Sequence, residues 1–164
     1  MEDNSADSKP RPQSDLSGRA IHRGHGHHVK HPSGADMHIK VFASETGGTY
    51  SLMETVLPPG VVIPLHVHAD EDENNYVLEG ELLMTIGEQT FHATVGSYVV
   101  APKGIVQTFK NSGTVPCRFL TTFTPGGAEG FFKEVGELIA RAAPQRPDPQ
   151  AVKALQQQYG LTYL

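Results

Sequence analysis

Cysteine, basic residues and long apolar runs are all scarce in this sequence. Its 164 residues include one cysteine, Cys117, which excludes an intramolecular disulfide and fits a reducing compartment. Lysine and arginine number 13 against 18 aspartates and glutamates, so the basic patch typical of nucleic-acid-binding proteins is not indicated. No apolar run reaches the length of a membrane span, and the N-terminus has no apolar signal core. We therefore expect a cytoplasmic protein that binds neither nucleic acid nor membranes.

The first 31 residues are poor in hydrophobic side chains. Residues 1–20 are polar and cannot bury enough apolar surface to offset the entropy cost of ordering. A histidine-rich stretch follows, in which glycines and a proline argue against a preorganised metal site. Its histidines are His22, His25, His27, His28 and His31. We therefore predict a disordered tail over residues 1–31 that binds metal adventitiously at most.

Short segments with strand-like alternation run from Met37 to Phe123 and are separated by turns rich in glycine and proline. Many short strands at regular spacing predict a β-sandwich or a β-barrel. Because inward and outward side chains alternate along the strands of a barrel, an enclosed cavity is expected. The sequence therefore predicts one all-β domain over residues 32–126.

The hydrophobic period changes after Gly127. Apolar side chains then recur on one face of a predicted helix, at Phe131, Phe132, Val135, Leu138 and Ile139. Asp148 with Pro149 is typical of a helix N-terminus, and Gly160 is typical of a helix C-terminal cap. We predict two short helices in residues 127–164, packed outside the barrel or at a subunit contact.

Two histidines and a carboxylate occur together in one predicted strand and the turn after it. His66 and His68 are two residues apart, so their side chains share a face, and Glu73 follows in an acidic turn. Two imidazoles and one carboxylate with open positions form the facial triad of non-haem Fe(II) oxygenases. The alternative is a pair of surface histidines beside a solvated charge run. The metal site is favoured by the apolar residues that frame the pair, Val61, Val62, Ile63 and Leu65.

The spacing of these residues resembles the first signature motif of the cupin family. That motif is formed here by Gly60, His66, His68, Glu73 and Gly80. A second motif of the family follows in the expected order, formed by Gly96, Pro102, Gly104, position 107 and Asn111. The resemblance covers about residues 37–124 and implies a double-stranded β-helix, or jelly-roll barrel, with two short C-terminal helices. His38 and His92 lie outside both motifs and are interpreted as structural or exposed.

The resemblance implies the ligands of one divalent metal ion per subunit. His66, His68 and Glu73 match the family ligands, whereas Gln107 stands where the family usually has a further histidine. Three roles are open for Gln107: its carbonyl binds the metal, it holds a metal-bound water, or the metal is lost. Fe(II) is the first candidate, with Mn, Ni and Zn as alternatives. Only the family spacing selects Glu73 from its turn, and we expect the remaining carboxylates to face solvent, namely Asp70, Glu71 and Asp72.

The sequence is also similar to single-domain cupins of the quercetin-dioxygenase type. That resemblance implies a metal-dependent dioxygenase that acts with O₂ on a small aromatic or enolisable compound, with Glu73 as general base. Inward apolar residues would shape the substrate pocket, and the candidates are Tyr50, Met53, Phe109, Phe119 and Phe123. Two alternatives stay open: a metal-dependent isomerase, epimerase or cyclase, and a non-catalytic small-molecule-binding cupin with a degraded site. We expect a homodimer, because pairing would cover exposed strand edges.

Overall fold

The computed structural model describes residues 18–31 and 33–164, so residues 1–17 of the predicted tail lie outside the described residues. The described chain contains eleven strands, two α-helices and a short 3-10 helix over Ala43–Glu45. The strands are β1 His27–Lys30, β2 Asp36–Val41, β3 Ser51–Leu57, β4 Val62–His68, β5 Asp72–Glu79, β6 Glu81–Ile86, β7 Gln89–Thr94, β8 Tyr98–Ala101, β9 Gln107–Lys110, β10 Cys117–Thr124 and β11 Leu161–Tyr163. The helices are α1 Glu129–Ala142 and α2 Pro149–Gln158.

The strands form two antiparallel sheets around a common core. One sheet has six strands in the order β1-β2-β3-β10-β5-β8, and the other has five in the order β11-β4-β9-β6-β7. The chain crosses from one sheet to the other between β3 and β4, between β4 and β5, and again between β5 and β6. These crossovers build a jelly-roll barrel, so the predicted all-β double-stranded β-helix with two C-terminal helices is confirmed.

Alternate residues of β3, β5, β6 and β10 build the core between the sheets. The innermost side chains are almost fully buried, and they include Met53, Leu57, Val77, Leu82, Met84, Phe119 and Phe123. Burial of one such side chain contributes about 1.5–3 kcal/mol to folding. Cys117 belongs to the same core, and burial raises the pKa of its thiol to about 12. Cys117 is therefore a small buried hydrophobe.

The histidine-rich segment is structured at its C-terminal end, so the prediction of disorder is wrong for His27–Lys30. This segment is β1, which pairs with β2 in an antiparallel ladder. Val29 is 2% exposed and joins the hydrophobic core, which offsets the ordering cost that the polar composition suggested. The barrel therefore begins before residue 32.

A buried lysine holds the chain that precedes β1 against the outer face of the six-stranded sheet. Lys40 is 7% exposed, and its Nζ donates hydrogen bonds to the carbonyl oxygens of His22 and His25, both at 2.7 Å. The same ammonium group forms an ion pair with Glu54, which also contacts Arg118. A buried charge is tolerated only when it is paired and hydrogen-bonded. Residues 22–25 therefore complete the environment of Lys40.

The C-terminal region contains the two predicted helices and one strand that the sequence analysis missed. Helix α1 buries Phe131, Phe132 and Val135 on the predicted face. Helix α2 begins after Asp148, whose side chain accepts a hydrogen bond from the backbone N–H of Gln150 at 2.9 Å. After α2 the chain forms β11, which joins the edge of the five-stranded sheet beside β4. No helix among the described residues is long and apolar enough to span a membrane.

Replacing Gly80 with alanine should destabilise the barrel. Gly80 has φ +73°, and a Cβ there would lie 2.9 Å from the Cα of Cys117 and 2.9 Å from the carbonyl oxygen of Pro116. The strained backbone costs about 1–3 kcal/mol, and the clash with a neighbouring strand adds to it. The matched control is Gly60→Ala, which has φ +75° and no atom within 4 Å of the added Cβ. Chemical denaturation should show a larger loss for Gly80→Ala, and equal losses would contradict this packing argument.

Candidate metal centre

A bulge in β4 sets the direction of the two motif histidines. The pairing of β4 with β9 shifts register between Ile63 and His66, so both of these side chains reach the interior although their numbers differ by three. His68 then follows His66 on the same face. The two imidazoles are 3% and 2% exposed, and their ring centroids lie 5.3 Å apart. The interpretation of this pair as surface histidines is therefore wrong.

Glu73 meets both histidines from the opposite sheet. One carboxylate oxygen, Oε2, lies 3.3 Å from Nε2 of His66 and 3.2 Å from Nε2 of His68. The other oxygen, Oε1, accepts a hydrogen bond from Nδ2 of Asn75 at 3.2 Å. All three side chains are buried, and the ligand atoms lie within 4.8 Å of one another. The structure therefore brings together the three residues of the predicted facial triad.

The hydrogen bonds of His66 fit a metal ligand. Its Nδ1 donates to the carbonyl oxygen of Pro64 at 2.8 Å, so in the neutral ring the lone pair is on Nε2. That lone pair faces the Glu73 carboxylate, and two acceptors this close need a cation or a proton between them. Fixing the remote ring nitrogen is the usual way in which proteins orient a metal-binding imidazole. The donor set therefore fits a divalent transition-metal ion.

Glu71 stands behind His68 and corrects one prediction. It was expected to face solvent with its neighbours, but it is 6% exposed. Its Oε2 lies 3.8 Å from Nδ1 of His68, and neither atom has a hydrogen-bond partner within the described part of the chain. A carboxylate at the remote nitrogen of a ligating imidazole orients the ring and increases its basicity. Glu71 is thus placed to support His68, whereas Asp70 is exposed as predicted.

Gln107 faces the triad from β9, where it pairs directly with His66. It is 1% exposed, and its Nε2 donates to Oε2 of Glu73 at 3.0 Å. Its Oε1 is buried and, among residues 18–31 and 33–164, meets no hydrogen-bond donor. A buried carbonyl oxygen without a donor is costly and suits a cation. The atom of Gln107 that contacts the triad is Nε2, so coordination through Oε1 stays a prediction.

Substituting histidine for Gln107 should tighten binding of Zn²⁺ or Ni²⁺ at this centre by about tenfold or more, because imidazole is a stronger donor than an amide oxygen. Isothermal titration calorimetry would measure the change. The control is Lys110→His, which adds a histidine to the same strand but on its exposed face. A dissociation constant that stays the same in Gln107→His would contradict a ligand role for position 107.

The charges at the centre shift the ionisation of Glu73 and His68 in opposite directions. Burial disfavours the Glu73 anion, but the hydrogen bonds from His66 and His68 outweigh it and hold the pKa of this carboxyl well below its usual range. Burial also disfavours the imidazolium of His68, but the carboxylates of Glu71 and Glu73 outweigh it and raise its pKa to about 9. A metal ion that binds here therefore competes with a proton on His68.

An apolar cavity lies beside His66 and Glu73, and four of the five predicted pocket residues line it. These four are Met53, Phe109, Phe119 and Phe123. Tyr50 does not line the cavity and is 39% exposed. In β3 the odd-numbered residues point inward. Tyr50 is the residue before this strand and has an even number. The prediction for Tyr50 is therefore wrong.

Two aromatic residues of the C-terminal region close the cavity, and the sequence analysis missed both. Tyr163 of β11 pairs with His66, and their ring centroids lie 5.7 Å apart. Burial and the Glu73 charge raise the pKa of the Tyr163 hydroxyl above its usual range. Phe132 of α1 also lines the cavity and packs against Phe123 at 6.0 Å. The only sequence signal for β11 is the alternation of three residues, which is too short to predict a strand.

His31 lines the same cavity from the turn between β1 and β2. The backbone N–H of Ser33 donates to its Nδ1 at 3.3 Å, and the Ser33 hydroxyl lies 2.8 Å from the same nitrogen. Burial lowers the pKa of His31, which favours the neutral ring. Because Nδ1 is the acceptor, the proton of the neutral ring lies on Nε2. The histidine-rich segment thus contributes a polar group to an otherwise apolar wall.

The cavity is small. The centres of water-sized spheres occupy about 30 Å³ of it. One water molecule needs roughly 10–15 Å³ by this measure, so the cavity has room for about two waters.

The comparisons with known proteins agree with this fold. Residues 53–123 match the family described as the Cupin domain. The uncharacterized protein MJ1618 of Methanocaldococcus jannaschii is 33% identical over 79 residues, which are 48% of this chain and 63% of that protein. Germin-like protein subfamily 2 member 2 of Arabidopsis thaliana is 33% identical over 114 residues, which are 65% of this chain and 50% of that protein. The matches therefore span less than two thirds of either relative.

A solved structure shows the same fold at low sequence identity. KdgF from Halomonas sp. superposes with a TM-score of 0.61 at 15% identity, covering 70% of this chain and 99% of that one. The Cupin domain match, over residues 53–123, covers the strands that carry the triad and Gln107. Over residues 53–123, fewer than half of its residues, the chain is therefore similar to the Cupin domain family.

Proposed function

We propose that this protein is a metal-dependent dioxygenase acting on a small enolisable compound. The observation that carries the proposal is the convergence of two buried imidazoles and one buried carboxylate beside an apolar cavity. His66, His68 and Glu73 would hold the ion, with the Gln107 side-chain oxygen as a fourth donor. Fe(II) is the ion that this combination of ligands favours. When bound, it would supply Lewis-acid and one-electron chemistry to a chelating enolate and O₂.

Glu73 fits the role of ligand better than the role of general base. An efficient base has a pKa near the working pH, whereas the hydrogen bonds from His66 and His68 lower the pKa of Glu73. Both of its oxygens already accept hydrogen bonds, Oε2 from Gln107 and Oε1 from Asn75. A substrate that enters as the enolate, or loses its proton to water on entry, needs no strong base from the protein.

His31 is the group best suited to position a substrate oxygen. Its neutral ring carries the proton on Nε2, and hydrogen bonds to Ser33 orient the ring. A preorganised donor in a small apolar cavity stabilises negative charge that develops on a substrate oxygen. His31 and Glu73 both line the cavity, so a bound enolate would contact the metal on one side and His31 on another.

The size of the cavity favours small substrates over flavonols. Room for about two waters fits a compound with few non-hydrogen atoms. The aromatic wall formed by Phe109, Phe119 and Phe123 would exclude water from the reacting atoms. The substrate class proposed is therefore a small 1,3-dicarbonyl or related enol.

A metal-dependent isomerase is the second candidate, because His31 could polarise a carbonyl group in the same cavity without O₂. Oxygen uptake discriminates between the two. Protein loaded with Fe(II) is mixed with a panel of small 1,3-dicarbonyl compounds and catechols, with His66→Ala as the inactive control. The dioxygenase predicts O₂ consumption equimolar with substrate loss. Turnover that continues unchanged under argon would overturn the dioxygenase and favour the isomerase, and absence of turnover with every compound would favour a binding role.

A further inference from the structure

A second cluster of metal-binding side chains lies on the outer face of the six-stranded sheet. It consists of His28 from β1 and of Asp36 and His38 from β2, and their ligand atoms lie within 4.8 Å of one another. Nε2 of His28 is 2.6 Å from Oδ1 of Asp36. The rings of His28 and His38 stack with centroids 4.8 Å apart and an interplanar angle of 26°.

The β1–β2 ladder fixes this arrangement. The antiparallel register places His28 directly opposite His38. Asp36 is two residues before His38 and therefore shares its face of β2. Met37 and Ile39, with the opposite parity, are buried in the core. The three polar side chains are thus held on one surface by backbone hydrogen bonds, in a hairpin that the core anchors.

We propose that His28, Asp36 and His38 form a second divalent metal site that binds Zn²⁺, Ni²⁺ or Co²⁺. Two imidazoles and a carboxylate are a common ligand set for these ions, which readily keep water in the remaining positions. The site is separate from the buried triad and does not depend on the proposed dioxygenase activity. It also differs from an adventitious tract, because its ligands come from two paired strands.

An ion pair alone does not account for the cluster. His28 with Asp36 would be sufficient for an ion pair, yet a second imidazole stacks on His28. Stacking of two imidazole rings stabilises the surface little in water, whereas one cation can bind a nitrogen of each ring. The pair formed by His92 and Glu81 on the other sheet has a similar contact, 2.9 Å, but is not part of any such group in the described chain. That pair serves as the matched control.

A metal at this site would fix a wall of the cavity. The turn that connects the two strands contributes His31 and Ala35 to the cavity lining. Within residues 18–31 and 33–164, β1 is an edge strand that pairs with β2. Because the ion would bind residues on both sides of the turn, it would oppose separation of β1 from β2. An ion that binds only the folded hairpin stabilises it by mass action.

Equilibrium dialysis of the full chain against Zn²⁺ tests the site, with bound metal measured by mass spectrometry. His28→Ala and His38→Ala should each bind about one equivalent less than the unaltered chain, or bind the second equivalent at least about tenfold more weakly. All substituted residues are at least partly exposed, so these variants should keep the fold, which circular dichroism would verify. Asp36→Asn should weaken the same equivalent, because it removes the anionic ligand.

Two controls separate this site from other histidines. His92→Ala should leave Zn²⁺ binding unchanged, and so should the double variant His22→Ala/His25→Ala. The proposal would be overturned if His28→Ala and His38→Ala bound as much Zn²⁺, as tightly, as the unaltered chain. It would also be overturned if the His22/His25 variant lost the same equivalent, since His22 and His25 would then be the binders.

Discussion

Replacing His66 with alanine should weaken metal binding at the buried centre by at least about 100-fold. Loss of an outer-shell partner already costs about 10- to 100-fold in metal affinity, so loss of a direct ligand should cost no less. His66 is the ligand whose orientation is fixed most firmly, through the hydrogen bond from its Nδ1 to Pro64. After the substitution, Glu73 and His68 would be the only strong donors left in the triad.

Calorimetry with Mn²⁺ or anaerobic Fe(II) measures this effect. The experiment should be made in a chain that also carries His28→Ala, so that the surface cluster does not contribute. His92→Ala is the control, because it removes an exposed histidine that pairs with Glu81 outside the triad. Circular dichroism would establish that the fold persists. An affinity that changes less than about threefold in His66→Ala, as in the control, would contradict the assignment of His66 as a ligand.

Metal-free protein should lose up to about 3 kcal/mol of stability as the pH rises from 6.5 to 9. The carboxylates of Glu71 and Glu73 raise the pKa of His68 to about 9, against an unfolded value of 6.5. A group whose pKa is raised by folding contributes its full stabilisation below the unfolded pKa and loses it as the pH passes the folded pKa. Glu73 has a lowered pKa, so its contribution is present above pH 4.5 and declines below it.

Denaturant titrations of chelator-treated protein across this pH range test the effect. The maximum stability should lie between about pH 4.5 and 6.5. Glu71→Gln should reduce the alkaline loss, because one of the two carboxylates that stabilise the His68 cation is removed. Asp70→Asn is the matched control from the same turn, since Asp70 is exposed and should leave the profile unchanged. A stability that is flat from pH 6.5 to 9 in the metal-free protein would refute this coupling.

Local sequence pattern and motif spacing were sufficient to predict most of the barrel and the triad. The placement of His66 and His68 on one face depends only on strand geometry, whereas Glu73 was selected from its turn by the spacing of the cupin motif. Met53, Phe119 and Phe123 were predicted as inward apolar residues of the barrel strands, and they line the cavity. These features follow from local pattern and from motif spacing, so the sequence could predict them.

Other parts of the site depend on contacts between distant segments, and they could not be predicted. Tyr163 reaches His66 only because β11 adds to the edge beside β4, a pairing across about a hundred residues of chain. His31 lines the cavity because β1 pairs with β2, although its surroundings in the sequence are rich in glycine and polar residues. Glu71 is buried behind His68, whereas composition indicated a solvated turn. In each case tertiary packing outweighed local composition.

The buried triad is the central claim, and anomalous X-ray diffraction tests it most directly. Crystals of the protein loaded with Fe(II) or Mn²⁺ would be measured at the absorption edge of that metal. We predict an anomalous peak about 2.0–2.3 Å from Nε2 of His66, from Nε2 of His68 and from a carboxylate oxygen of Glu73. Metal-loaded crystals with no anomalous peak among these three residues would contradict the assignment of this cavity as a metal centre.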